Sequence, residues 1–275
     1  MTNTTVALSS IPRLIGLLLV GAITSSFACG QAEPKQSQAS AGTNAKPDIS
    51  TAVAKAQSDS EDSIYYVEQL ARAKASQAIP MLEQKFERTQ NPLDRAHVAS
   101  ALLRLGDKND TYWNFLEKQA AQAIENAPPD FMSYDSQGKS VPGPSPEFTA
   151  WAKTHGLASS GMGEQIYLAP APVGILALTA DPRGVPLLQK ALLSPNHQIE
   201  IFAAMGLAEI QDHNSVPLII EDCRKAPAEV ATAIAQSLVY FDEPEAQRAV
   251  DTYMPAEVAK IFREARAQGK KPIGY

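Results

Sequence analysis

Asp181-Pro-Arg-Gly-Val-Pro-Leu-Leu188 and, after a short connection, Ala204-Met-Gly-Leu-Ala-Glu-Ile-Gln-Asp212 read as two halves of one unit. In the first half an apolar residue followed by proline opens a helix; in the second a helix rich in small residues closes on an aspartate. Val216-Pro-Leu-Ile219 restarts the pattern 31 residues after Val185 and runs to Asp242, and Asp212 follows Asp181 by the same 31 residues. Ile79-Pro-Met-Leu82, leading to Asp107, is an earlier copy. A period of this length marks stacked helical hairpins, each of which buries its apolar face only against its neighbours.

The second helix of each unit is apolar almost all round: Ala96 to Leu105, Ile199 to Ile210 and Val230 to Phe241. A helix without a broad polar face must be covered on several sides, so these are the expected inner helices. Prolines 92, 146, 195, 227 and 255 are expected at first helical positions, where the missing N–H costs nothing. Asp107, Asp181 and Asp212 stand just before the next outer helix, where a carboxylate meets orphan amides and the positive end of the helix dipole.

The Val-Pro-Leu-Leu outer helix and the Ala-rich inner helix ending in Leu-x-x-Ile-x-Asp resemble the short bacterial form of the HEAT-like repeat family. The resemblance covers about residues 75–250, apart from an insertion. It implies an all-α fold, a right-handed α-solenoid of helical hairpins with one long inserted loop. It also implies a concave binding surface and no particular chemistry. Some members of that family act as bilin lyases, but no cofactor motif accompanies the resemblance here, and no cofactor is expected. The expected organisation is a signal peptide over 1–28, a flexible tether over 29–59, the solenoid over 60–268 with an insertion at 127–163, and a tail over 269–275.

The leader has one cation, Arg13, then an apolar core from Leu14 to Ile23 and a small-residue stretch ending at Ala28. That core is about half the roughly 20 residues a membrane span needs, so it reads as a cleaved export signal. Ser26-Phe-Ala-Cys29-Gly30 resembles the lipobox of bacterial lipoproteins, which implies a lipid on Cys29 and attachment to the extracytoplasmic face of the membrane. A plain secretory signal with Cys29 incidental is the other reading. From Gln31 to about Ser60 the chain is rich in Ala, Ser, Gln and Pro, with no bulky apolar residue before Ile49, and reads as a tether. The formal net charge of −6, with no basic patch, argues against a nucleic-acid partner. Cys29 and Cys223 are the two cysteines, so the folded part carries no disulfide framework.

Asp107 to Asp181 spans 74 residues, 43 more than the period, and the excess follows an outer helix expected from Thr111 to about Asn126. The inner helix of that unit is expected to resume near Glu164. Five prolines between 128 and 146, five glycines between 138 and 163, and the rings of Phe131, Tyr134, Phe148 and Trp151 set the insertion apart. Such loops are often the binding element of a repeat protein. Ser145 to Gly156 reads as a capped helix carrying Phe148, Trp151 and His155 on one face. Phe131, Tyr134, Trp151 and His155 are the candidate partner-binding residues, in a non-enzymatic scaffold that binds a protein partner of the cell envelope. Packing of this face onto the helices is the plainer account. The alternative is an envelope enzyme or small-ligand binder with a site beneath the insertion, lined by His155, Trp151 and Asp135.

Against catalysis stand several absences. There is no Gly-x-Ser-x-Gly elbow and no P-loop, and the histidines at 97, 155, 197 and 213 form no His-x-x-x-His pair and show no carboxylate at ligand spacing. Asp130 and Asp135 could serve as acid and base, although carboxylates in polar loops are usually solvated. No catalytic residue and no metal ligand is expected.

Overall fold

In the computed structural model, residues 48–60, 62–157 and 166–273 are described. They are mostly helical, with thirteen α-helices, three short 3₁₀ turns and one two-stranded sheet among them. The helices are α1 (Ile49–Gln57), α2 (Ser63–Arg72), α3 (Ile79–Arg88), α4 (Pro92–Arg104), α5 (Asp110–Glu125), α6 (Pro146–Thr154), α7 (Ala171–Leu178), α8 (Val185–Ala191), α9 (His197–Ile210), α10 (Val216–Lys225), α11 (Ala228–Leu238), α12 (Pro244–Tyr253) and α13 (Ala256–Ala267).

The contacts follow the apolar pattern. α1 packs on α2, α3 on α4, α5 on α7, α8 on α9 and α10 on α11, so the helices associate in pairs. The second members also touch one another in series, α2 on α4, α4 on α7, α7 on α9 and α9 on α11. They are the most thoroughly buried helices: Val98, Ala99, Ala101 and Leu102 of α4, and Ala203, Ala204, Leu207 and Ala208 of α9, are sealed from solvent. Small residues set the spacing. Gly206 of α9 lies so close to α7 that a Cβ there would come within 2.7 Å of the Ala177 Cβ.

Caps fix the ends. Asn91 accepts hydrogen bonds from the amides of Leu93 and Asp94, with Pro92 in the first turn of α4. Asp107 accepts from the Asn109 amide and Asp181 from the Arg183 amide, while Asp212 takes the Ser215 hydroxyl. Three prolines sit differently from expectation. Pro227 and Pro255 are cap residues just outside α11 and α13, and Pro195 precedes Asn196, whose side chain caps α9.

The structure departs from the sequence reading in three further places. Residues 49–57, expected within the tether, form α1, because Ala52 and Ala56 are buried against α2 and α3 and Asp48 caps the helix through the Ser50 amide. The inserted loop contains a β-hairpin, and the chain is helical at 166–168, near the expected restart, but turns at 169–170 before α7 begins at Ala171. The tail folds back rather than hanging free: the Tyr240 hydroxyl donates to the Lys271 carbonyl, Lys271 Nζ lies 3.0 Å from Glu209 Oε1, and Ile273 is buried. Cys29 and the leader lie outside the described residues, as do residues 158–165, which include the end of the insertion. Among the described residues no helix is long and apolar enough to cross a membrane.

Candidate functional site

The insertion leaves α5 and is tied down at once. The Asn196 side-chain amide donates to the Pro128 carbonyl (3.3 Å), and the Asp130 amide donates to the Pro195 carbonyl (3.1 Å). Strand β1 (Met132–Tyr134) then pairs antiparallel with β2 (Ser140–Pro144), Tyr134 opposite Ser140 and Met132 opposite Pro144, with an irregularity between Met132 and Ser133. In the turn between them Asp135 accepts from the Gln137 and Lys139 amides. Those amides, Lys139 first, hold its carboxyl below the ordinary value.

Gly138 ends that turn with φ +70°, the left-handed region that favours glycine, and its carbonyl accepts from the Glu229 amide at 3.2 Å. Helix α11 begins behind Pro227, which offers no side-chain acceptor, so Gly138 satisfies one of its orphan N-terminal amides. A Cβ at Gly138 would stand 2.3 Å from the Ala228 nitrogen, so no other residue permits this approach. Ser140 N–H adds a bond to Glu229 Oε2 at 3.1 Å.

The base of the insertion closes on Ser145. Its amide donates to the Phe131 carbonyl (2.7 Å), its hydroxyl donates to the Asp130 carbonyl (2.6 Å), and the same oxygen accepts from the Phe148 amide to cap α6. Phe148 is 1% exposed and Ala152 2%, yet neither belongs to the continuous core of the helical body. They centre a small core of their own. Phe131 meets Phe148 edge-on at 5.2 Å between centroids, Trp151 lies tilted on Phe148 at 5.6 Å, and His155 stacks on Trp151 at 4.3 Å. His155 Nδ1 is 2.8 Å from the Trp151 carbonyl, which only accepts, so Nδ1 carries the proton and Nε2 is left as the free ring nitrogen. Trp151 is half-buried and His155 is exposed. Three of the four candidate residues therefore share one ring cluster, rooted in Phe148 and open at its tip.

Tyr134 belongs elsewhere. Its ring meets His197 edge-on at 5.6 Å, and its hydroxyl donates to Asp130 Oδ2 at 3.1 Å. His197 Nδ1 is 2.6 Å from Glu200 Oε2, and its Nε2 is 3.9 Å from Asp130 Oδ2. Glu200 and Asp222 are both 8% exposed, and Asp222 Oδ2 is buried without a hydrogen-bond partner. Burial, with the Glu200 charge beside it, pushes Asp222 up to about 7. Burial alone would lower His197, but the Glu200 hydrogen bond and the Glu200 and Asp130 charges outweigh it and leave the imidazole raised. Burial also raises Asp130 and Tyr134. Asp130 is thus no solvated loop carboxylate, and three of the histidines, dispersed in sequence, each meet a glutamate: His97 with Glu68, His197 with Glu200, His213 with Glu243.

This second cluster escaped the sequence reading. The His197–Glu200 spacing of three residues was its only local signal, since Asp130 and Asp222 join it through tertiary packing. Among the described residues no group of three or more His, Cys, Asp or Glu side chains is arranged to hold a metal ion. Cys223, buried on α10, is pushed up to about 12 by burial and by Asp222, so it is no nucleophile at neutral pH. A groove of about 290 Å³ is lined by Leu93, Gln119, Leu168 and Pro172 among others, and by none of the ring-cluster residues. Compared with protein-family models and with curated proteins, the chain matches none.

Proposed function

We propose that this chain is an exported, lipid-anchored, HEAT-like α-solenoid of the bacterial cell envelope, and that it works as a non-enzymatic scaffold for a protein partner. The observation that carries the binding reading is the ring cluster on α6. Phe148 is buried at its root, Ser145 fixes the helix that bears it, and Trp151 and His155 are left open at the tip. A rigid aromatic pair gives up little rotamer entropy on contact, and such residues dominate protein interfaces. The solenoid reading rests on the serial contacts of α2, α4, α7, α9 and α11, with α1 against α3, α5 against α8 and α10 against α12 forming the other layer. Export and lipidation rest on the leader and on Cys29.

The test uses the full chain in its own cells, with a photo-crosslinking residue in place of the exposed Lys153 on α6. One discrete crosslinked band from the membrane fraction, lost in a Trp151→Ala background, is the expected result; an equal band in that background refutes the assignment of the ring pair. Intact mass of the membrane-bound protein tests the anchor. A diacyl or triacyl mass on Cys29, absent in Cys29→Ala, is expected, and an unmodified cleaved chain would remove the lipid from the proposal.

A further inference from the structure

The insertion touches the helical body through a cluster of titratable groups. From the insertion come the Asp130 carboxylate and the Tyr134 hydroxyl; α9 brings His197 and Glu200, and α10 brings Asp222. Lys225 at the end of α10 acts on Asp222 from the solvent side, and Glu229 of α11 faces Tyr134. His197 is the one histidine of the cluster, and it is within reach of a carboxylate on either side: Glu200 on its own helix and Asp130 of the insertion. Apart from this cluster, the insertion is held by backbone-level contacts at Pro128, Asp130, Gly138 and Ser140.

We propose that the insertion is a proton-controlled latch: protonated His197 bridges Asp130 to Glu200 and holds the insertion down, and the seat loosens once His197 has given up its proton. Loss of the His197 proton removes the bridging cation. Burial works against the charge on His197, and the Glu200 hydrogen bond with the Glu200, Asp130 and Asp222 charges outweighs it, so the imidazole is raised from 6.5. The sign follows from linkage. A raised imidazole contributes docking stability that is complete below its free value and lost as pH rises through its docked value. The latch is therefore tightest in mild acid and loosest in mild alkali. This inference goes beyond partner binding and stands on the seat, whatever the ring pair contacts.

Amide hydrogen exchange by NMR, expressed as protection relative to the intrinsic rate at each pH, reads the opening directly. The reporters are the Asp130 amide on Pro195 and the Glu229 amide on Gly138; amides within α9 are the internal reference. Between pH 5.5 and pH 8.5 the reporters are expected to lose protection by about tenfold or more while the α9 reference holds, one unit of differential pKa being a factor of ten. His197→Gln should remove the gain in acid. Tyr134→Phe, which drops only the hydroxyl bond to Asp130, should lower protection at every pH without changing the slope. Protection that stays within twofold across the range in the unaltered protein, or a slope that survives in His197→Gln, overturns the latch. Loss of a crosslinked partner in Trp151→Ala with an intact exchange profile would separate a failure of this inference from a failure of the binding proposal.

Discussion

Gly138→Ala isolates the contact between the inserted hairpin and α11. Two costs enter the docked state. The left-handed backbone at φ +70° disfavours a Cβ by about 1 kcal/mol. The Cβ would also stand 2.3 Å from the Ala228 nitrogen, which is backbone and cannot rotate away, so the turn must withdraw by roughly 1 Å to reach van der Waals contact. Withdrawal breaks the Glu229 amide bond to the Gly138 carbonyl and the Ser140 amide bond to Glu229, each about 1 kcal/mol. The sum is about 3 kcal/mol, or about a hundredfold more open insertion. Gly156→Ala is the matched control, because Gly156 has φ +65° and nothing within 4 Å of its Cβ position, leaving the backbone term alone. Amide exchange at Glu229 should accelerate by about a hundredfold in Gly138→Ala and by no more than about tenfold in Gly156→Ala. The helical body should melt almost unchanged in both, since Phe148 and Ala152 sit outside its continuous core. Equal exchange in the two variants would refute the close approach of hairpin to helix.

Glu68, buried against His97 and Arg104, is brought down to about 2 because those partners overcome its burial; its stabilising effect is complete above the ordinary value of 4.5 and lost as pH falls toward 2, so thermal unfolding should shift with that acid limb, and Glu68→Gln should cost about 3 kcal/mol at pH 7 by stranding Arg104. Asp222→Asn should raise the melting temperature by about 3–6 °C at pH 8 and leave it unchanged near pH 4, because a carboxyl raised to about 7 burdens the folded state only where it is ionised. Gly206→Ala gains about 1 kcal/mol of helix propensity but forces a Cβ to 2.7 Å from Ala177 and 3.0 Å from Leu188 Cδ1; overpacking of about 1–3 kcal/mol should win, and a raised melting temperature would show that α7 and α9 part more easily than this packing implies.

The helices were legible because their signals are local. All-round apolar runs such as Ala96 to Leu105 marked the buried members, Pro80, Pro186 and Pro217 marked starts, and Ser145 announced α6 three residues ahead of the Phe148 amide it caps. The Phe148, Trp151 and His155 face followed from helical spacing and is realised as a ring stack. What escaped depends on tertiary contact. Ser140-Val-Pro-Gly-Pro144 has too many prolines to read as a strand, and pairing is tolerated there because it is an edge of only two strands. Its one sequence signal was the turn, Asp135 opening it and Gly138 closing it. α1 is a weak helix by composition and was assigned to the tether; Ala52 and Ala56 bury it only because α2 and α3 offer a surface. The Asp130, His197 and Asp222 assembly draws on three separate stretches, which no window along the chain can join.

The hairpin does more than display rings. It is bonded at Pro128 and Asp130 to the start of α9 and at Gly138 and Ser140 to the start of α11, so it bridges two successive helical pairs from outside the core. Helical pairs that touch only their neighbours bend in series, like links whose small rotations add. A strut fixed at both ends takes the segment from α9 to α11 out of that sum, leaving bending to the pairs before α9 and after α11. Whatever frees the hairpin then removes the tie that joins the start of α9 to the start of α11 through residues outside the core.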